Sequence, residues 1–213
     1  MNWGINWMKS NNYLFYDFVK ITAALPGLIW LRPKVIYENE SAKAKIKGGA
    51  LVISNHSGFL DPLYVMFAIP YRRLHFVCGI EFFESRARWF FKQFHCIPVD
   101  RGNFSMDSFR QITQELESGK LVGLFPEGHV NSDAGNLDTF KSGMVMMALK
   151  GKMPIVPIYI RKREKVTDRL VAVIGEPVSV GGEDGVMPTF AKISEMTALL
   201  QKKEQQLGLM IEK

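Results

Sequence analysis

Residues 50–62 read ALVISNHSGFLDP: an apolar, partly β-branched run, a cluster of turn formers, and an aspartate followed by proline. The run predicts a buried strand, and Ser54, Asn55, Ser57 and Gly58 let the chain leave it sharply. Asp61-Pro62 predicts a helix start, with the aspartate as cap and the proline in the first turn. His56 therefore falls at a strand end rather than in a core. Spacing alone leaves two readings of His56 and Asp61: a base with its orienting carboxylate, or a surface histidine beside a helix cap.

The strand-and-turn pattern recurs. KVIYE (34–38), ALVISN (50–55), LHFVC (74–78), LVGLF (121–125), IVPIYI (155–160) and LVAVIG (170–175) are short and β-rich, and helix-length segments separate several of them. This predicts an α/β fold with a central, largely parallel mixed sheet covered by helices. Ligands of such sheets bind at the carboxyl ends of the strands. Both Asn55-His56 and Pro126-Glu127-Gly128 directly follow apolar runs and fall at that edge. Apolar positions at Phe104, Met106, Phe109, Ile112 and Leu116 predict a covering helix over 104–117. Residues 186–207, opening near Pro188 and stopping at Gly208, predict a peripheral closing helix. Pro157 has no N–H for a ladder, so it predicts an edge or a bend in its strand.

A chain of 213 residues, 47% hydrophobic and 23% charged, is sized and composed for one globular domain. The net charge of +6 favours an anionic partner and does not choose among nucleic acid, an acidic lipid surface and a phosphate-bearing small molecule. Cys78 and Cys96, with no cleavable leader pattern before them, read as buried thiols in a reducing compartment. Trp3, Trp7, Tyr13, Phe15, Tyr16, Phe18 and Trp30 crowd the amino-terminal stretch. Asp17 and Lys20 interrupt its apolar part, and Pro26-Gly27 is expected to break the helix, so residues 1–33 read as an interfacial, membrane-binding segment and 34–213 as the main domain. Packing on the protein's own sheet is the competing reading.

Three further stretches bear chemistry. Glu127 stands on a tight turn at the sheet edge, either as a site carboxylate or as an ordinary surface turn. Arg101, in VDRGN, is a bidentate phosphate clamp or the partner of a nearby acid. EFFESRARWFFKQF (81–94) mixes aromatics with cations. No nucleic-acid signature accompanies them, so a groove-lining or bilayer-dipping helix and ordinary core packing are the readings. RKREK (161–165) reads as a solvated basic loop that could touch anionic head groups or phosphates.

Asn55-His56 with Asp61, then Val99-Asp100-Arg101, then Phe125-Pro126-Glu127-Gly128, then Val156-Pro157, resemble in order and spacing the four motif blocks of the glycerophospholipid acyltransferases, the PlsC-like 1-acyl-glycerol-3-phosphate acyltransferase family. The resemblance runs over about residues 34–180. It implies transfer of a fatty acyl group from an acyl thioester, acyl-CoA or acyl carrier protein, to the sn-2 hydroxyl of a lysophospholipid, with lysophosphatidic acid as the default acceptor and phosphatidic acid as product. His56 is then the base and Asp61 its orienting partner, since an imidazole titrates in the range where a hydroxyl proton is usefully taken up. Arg101, Glu127, Gly128, Asn55 and His129 would bind the acceptor. The resemblance calls for no cofactor and no metal, and a lone histidine and aspartate make a poor metal site. It implies a peripheral or monotopic protein on the cytoplasmic face, against an anionic membrane surface and without nucleic acid. After Pro-Glu-Gly the family usually has Thr or Ser, then Arg, then Ser; this chain has His129-Val130-Asn131. One cation of the pattern is absent, which leaves the head group open, along with the alternatives of another lysolipid acceptor and a catalytically silent lipid-binding module.

Overall fold

The computed structural model describes residues 12–100, 102, 104–131, 138–180 and 189–211. In chain order the elements are α1 (Leu14–Leu31), β1 (Lys34–Tyr37), α2 (Glu40–Lys43), β2 (Ala50–Ser54), α3 (Asp61–Ala68), β3 (Leu74–Gly79), α4 (Glu81–Glu84), α5 (Arg88–Gln93), β4 (Ile97–Val99), α6 (Met106–Glu117), β5 (Leu121–Leu124), α7 (Gly143–Gly151), β6 (Ile155–Ile160), β7 (Val171–Ile174) and α8 (Phe190–Leu209). The strands form one sheet in the order β1-β7-β6-β2-β5-β3-β4. Only β6 against β7 is antiparallel among the described pairings. The sheet is thus the largely parallel, helix-covered kind that the alternating pattern predicts.

β2 lies in the middle and is buried at every position. Because strand side chains alternate, Ala50 and Val52 enter the core shared with α3 and β3, while Leu51 and Ile53 enter the one shared with α6, α7 and α8. A strand buried on both faces reads as a continuous apolar run, which is why this segment lacks polar alternation. The parallel registers bring Ile53 beside Leu124 of β5 and Pro157 of β6. The turns that follow β2 and β5 therefore leave the same edge side by side.

Pro157 sits neither at an edge nor at a bend; its strand lies between β2 and β7. In an extended strand the N and C=O of one residue face the same neighbour, and the Pro157 carbonyl accepts from Gly175 N at 2.8 Å. The missing N–H hence points at β7 just past its last residue, where no ladder bond is lost. β4, too short to stand out in the sequence, adds the last strand beyond β3.

α1 passes through Pro26-Gly27 without breaking. Tertiary anchors at both ends hold it straight against the local preference. Near its start, buried Tyr16 bonds both the N–H and the C=O of Leu74 through its hydroxyl, and Asp17 pairs with Arg73. At its end the Leu31 carbonyl accepts from Leu170 N at 2.8 Å, and Arg163 stacks on Trp30 with its guanidinium 5.0 Å from the ring centre. Arg163 is accordingly no solvated head-group contact, since it also donates to Tyr64 and to backbone carbonyls of its own loop. Gly27 is required by a close approach, because a Cβ there would lie 2.1 Å from Cζ of Phe67 on α3. The outer face stays open: Phe18 is 64% and Ile21 73% exposed, with Leu25 and Ile29 similar. Most of α1 is thus not packed on the sheet.

α6 starts where Ser105 caps it, its hydroxyl accepting from Ser108 N at 3.1 Å. α8 runs past Gly208 rather than stopping there. That glycine is a packing residue, since a Cβ would stand 3.0 Å from Cζ of Tyr159. Pro188, expected near the helix start, lies outside the described residues, and Thr189 is the cap.

Gly123 on β5 faces Phe76 on β3 so closely that a Cβ would lie 2.5 Å from two ring carbons. Phe76 is buried and stacked on Phe125, so moving the ring aside would break that stack. Gly123→Ala is expected to destabilise the fold by about 1–3 kcal/mol, the usual cost of overpacking, read as a lower urea midpoint at unchanged m-value.

Candidate active site

His56 leaves the end of β2, and its ring stacks on Phe125 with centroids 4.1 Å apart. Its Nδ1 lies 3.0 Å from Asp61 Oδ2. The same oxygen accepts the backbone N–H of Ser57 at 2.7 Å and of Gly58 at 2.8 Å. Asp61 is in the first turn of α3 but caps none of that helix's own amides; it turns back to bind the loop before it. A carboxylate can only accept, so Nδ1 carries a proton, and in the neutral ring Nε2 keeps its lone pair. The two sequence readings merge here: Asp61 fastens a turn and, by the same oxygen, fixes the tautomer and direction of the imidazole.

Beside this turn lies the one that follows β5. Glu127 is 2% exposed, and its Oε1 accepts the backbone N–H of His56 at 3.0 Å. Oε2 accepts from Asn131 Nδ2 at 3.1 Å and Asp138 N at 3.2 Å. Asn131 N closes the link by donating to the His56 carbonyl at 2.7 Å. The Glu127 oxygens are turned into the fold and engaged by three donors. Asn55 is engaged in the same way. Its amide donates to the Ile160 carbonyl at 3.0 Å and accepts from Ile160 N at 2.8 Å, continuing the β2–β6 ladder where the strand itself has ended. Neither contact is visible locally, because Ile160 and Glu127 are far away in sequence.

His129 sits at the rim with its ring nitrogens on the Glu127 carbonyl at 3.1 Å and Asp138 Oδ2 at 2.8 Å. Gly128 adopts φ +78°, a conformation that favours glycine. A Cβ there would lie 2.8 Å from Lys141 Nζ, so the lysine lies directly over the bare Cα. Lys141 N donates to the Pro126 carbonyl at 3.0 Å, which holds that residue at the turn. Arg101 lies outside the described residues.

His56, Gly128 and Lys141 all line a groove of about 1190 Å³. Ordinary small-molecule pockets measure roughly 300–1,000 Å³, so this one suits a long occupant. The β3–β5 ladder ends at Phe76–Gly123, and the groove is walled by Val77 and Cys78 beyond that point on one side and by Leu124 and Phe125 on the other. It continues past Phe91 and Phe94 to Leu74 and Lys20, along the length of β3. Residues 81–94 are two short helices, not one, and they divide the expected labour: Phe82, Phe90, Phe91 and Phe94 face the groove, while Phe83 is core. Cys78, only partly buried, and buried Cys96 line the same wall, and neither is in a disulfide.

A histidine–carboxylate pair at the mouth of a long apolar groove, at the carboxyl edge of a mostly parallel sheet, is matched by known proteins. Residues 34–161 match the family described as Acyltransferase. The chain belongs to that family.

Among curated relatives, this acyltransferase is 28% identical over 193 residues to the 1-acyl-sn-glycerol-3-phosphate acyltransferase of Bacillus subtilis, covering 86% of this chain and 93% of that protein. It is 29% identical over 144 residues to the protein of the same name from Limnanthes alba, covering 62% of this chain and 47% of that one. In fold it resembles the crystal structure of the 1-acyl-sn-glycerophosphate (LPA) acyltransferase PlsC from Thermotoga maritima, with a TM-score of 0.61 at 19% identity over 85% of this chain and 74% of that one.

In this acyltransferase Asn55 is expected to act on stability. Asn55→Ala strips partners from both the N–H and the C=O of buried Ile160, at about 1–3 kcal/mol for each group left unsatisfied. Urea unfolding measures that loss, which should exceed the loss from His129→Ala at the half-exposed rim.

Proposed function

We propose that this acyltransferase moves a fatty acyl group from an acyl thioester, on coenzyme A or acyl carrier protein, to the sn-2 hydroxyl of 1-acyl-glycerol-3-phosphate, giving phosphatidic acid. The observation that carries the reading is the His56–Asp61 pair standing at the mouth of the apolar groove. The names of the Bacillus and Limnanthes relatives support the choice of acceptor.

In the proposed reaction His56 Nε2 takes the hydroxyl proton as the acceptor oxygen attacks the thioester carbonyl. Asp61 holds the ring by Nδ1 and balances the imidazolium that forms. The tetrahedral intermediate collapses with cleavage of the C–S bond, and the imidazolium returns its proton to the leaving thiolate. Atoms and charges balance without a covalent acyl-enzyme, a cofactor or a metal. The acyl chain lies along Phe76, Phe91 and Phe94, where its burial contributes about 0.8 kcal/mol per methylene.

Lys141 supplies positive charge where the family pattern carries an arginine and this chain has Val130. Its ammonium lies over Gly128 on the groove wall, within the same turn as the departure. Lys141 is therefore the proposed partner of the acceptor phosphate. The ester-forming end of the groove adjoins exposed Phe59 and Phe104, and α1 adds its own open apolar face. α1 has 18 residues and is the one described helix long and apolar enough to cross a membrane. At 1.5 Å per residue it is about 27 Å long, short of a hydrocarbon core of about 30 Å. With its buried Tyr16 and Leu31 facing the domain and Asp17 held by Arg73, the reading proposed is a helix lying in the interface on the cytoplasmic face, from which lysolipid enters the groove.

Purified protein in detergent with acyl-CoA and lysophosphatidic acid is expected to release thiol. His56→Ala should abolish it, and Asp61→Asn should lower turnover by up to about 10⁴-fold, the effect of losing an orienting carboxylate in a Ser-His-Asp arrangement. Equal release by wild type and His56→Ala would sink the mechanism. Lys141→Gln should raise KM for lysophosphatidic acid about tenfold with kcat little changed, and spare uncharged lysolipids. For the interface, a Phe18→Glu/Ile21→Glu/Leu25→Glu variant should stay in the soluble fraction of a vesicle flotation assay that carries the wild type upward.

A further inference from the structure

Glu204 on α8 is fully buried, 0% exposed, and neither carboxyl oxygen has a hydrogen-bond partner. A charge left so would cost several kcal/mol, so such a group either finds a counter-ion or gives up its charge. Its place in the fold is set by residues one turn away on the same helix face. Gln201 Oε1 accepts Phe140 N at 3.3 Å, which tethers the segment whose Asp138 N–H bonds Glu127. On the other side, Leu207 and Pro157 press against Gly175, and Gly208 against the Tyr159 ring. Glu204 is thus lodged behind the ends of β2 and β5, under the two turns that Glu127 ties together.

Burial pushes the Glu204 carboxyl well above the ordinary carboxylate range, the charge of Glu127 pushes it the same way, and only the backbone of Asn55 opposes them. Among the described residues of the surrounding elements, no cation is paired with it. Lys203, next in the chain, is paired with Glu38 at 3.1 Å. β7 brings no titratable side chain, Lys150 of α7 is exposed, and β6 offers the Tyr159 phenol. Asp61 is already bound to His56 and Asp138 to His129.

We propose that Glu204 is a neutral positioning residue: uncharged, it backs the Glu127 carboxylate that holds the His56 backbone, and ionised, it sets two buried carboxylates against each other and loosens the turn that presents the imidazole. This rests on the acyl-transfer reading for its kinetic arm alone. A neutral carboxylic acid sets no second negative charge against Glu127. The Gln amide is equally uncharged, nearly the same shape, and cannot ionise.

The tests follow from that equivalence. At pH 7 Glu204→Gln should keep kcat/KM within about threefold of wild type, while Glu204→Ala should lower kcat at least tenfold with KM for lysophosphatidic acid unchanged. Toward alkaline pH the wild type should lose activity as Glu204 ionises, about tenfold per pH unit past the midpoint, and Glu204→Gln should hold its rate further up the scale. A thermal arm needs no substrate. The folded state binds this proton more tightly than the unfolded chain, so the contribution of Glu204 to stability falls as pH rises from about 4.3 toward its folded value. The Tm advantage of Glu204→Gln over wild type should therefore grow between pH 5 and 9. A Tm difference that is constant with pH overturns the proposal whatever the enzyme acylates. Loss of activity in Glu204→Gln with a wild-type melting curve overturns it too, because it would mean that the ionised acid is the working form. If the thermal trend holds and no lysolipid is turned over by wild type, it is the acyl-transfer reading that fails.

Discussion

One carboxylate, Glu127, joins the two loops on which the candidate site is built. Its oxygens accept from the backbone of His56 after β2, and from the side chain of Asn131 and the backbone of Asp138 in the loop after β5. Parallel neighbours make this possible, because β2 and β5 run together in register and release their chains at one edge. With Asn55 splicing β2 to β6 on the other flank, the His56 turn is pinned from both sides before Asp61 touches the ring. Precision at Nδ1 thus rests on backbone contacts behind the imidazole.

Much of this was legible in the sequence, and the legible part has a common physical origin. Apolar runs bounded by turn formers mark buried strands, and the strands so marked are found within a residue or two of their expected limits. Spacing alone leaves His56 and Asp61 open between a base with its partner and a histidine beside a cap, and it is the resemblance to the four motif blocks that favours the first. Features decided at long range were not legible. Pro157 is harmless in a central strand only because β7 ends beside it, and α1 crosses Pro26 because Leu74, Arg73, Leu170 and Arg163 hold its two ends. Likewise, Asn55 and Glu127 have the polarity expected of ligand contacts, but the fold reaches them first. A buried polar group must be satisfied by something, and sequence alone does not say whether by substrate or by backbone.

The groove shows the reverse case, in which residues that look like core turn out to be surface of a cavity. Phe76, Phe91 and Phe94 satisfy every sequence criterion for packing, and part of their area is spent on walls rather than on contacts with each other. The ladder between β3 and β5 ends at Gly123, where the missing side chain lets Phe76 lie across the gap. Glycine there serves two ends at once: it closes the sheet below and lets the aromatic wall form above. Gly27 makes the same bargain on the outside, since it brings α1 down onto Phe67, another residue of the groove wall. Two absent Cβ atoms therefore set how closely the apolar helix and the sheet approach the same cavity.

Charge is distributed with the same economy. The groove is apolar along its length, so the placement of the few charges at its mouth decides what kind of head group fits. The carboxylates near it are engaged or turned away: Asp61 by His56, Asp138 by His129 and Glu127 by three donors, while Glu204 is buried with its carboxyl pushed toward the neutral form. Lys141 is left as the cation on the wall beside Gly128. Had Glu127 or Glu204 faced the groove as a free anion, the lysine would be matched and an anionic acceptor repelled. The inward turn of these acids and the outward turn of the lysine are thus one arrangement, and it is on this arrangement that the proposed role of Lys141 rests.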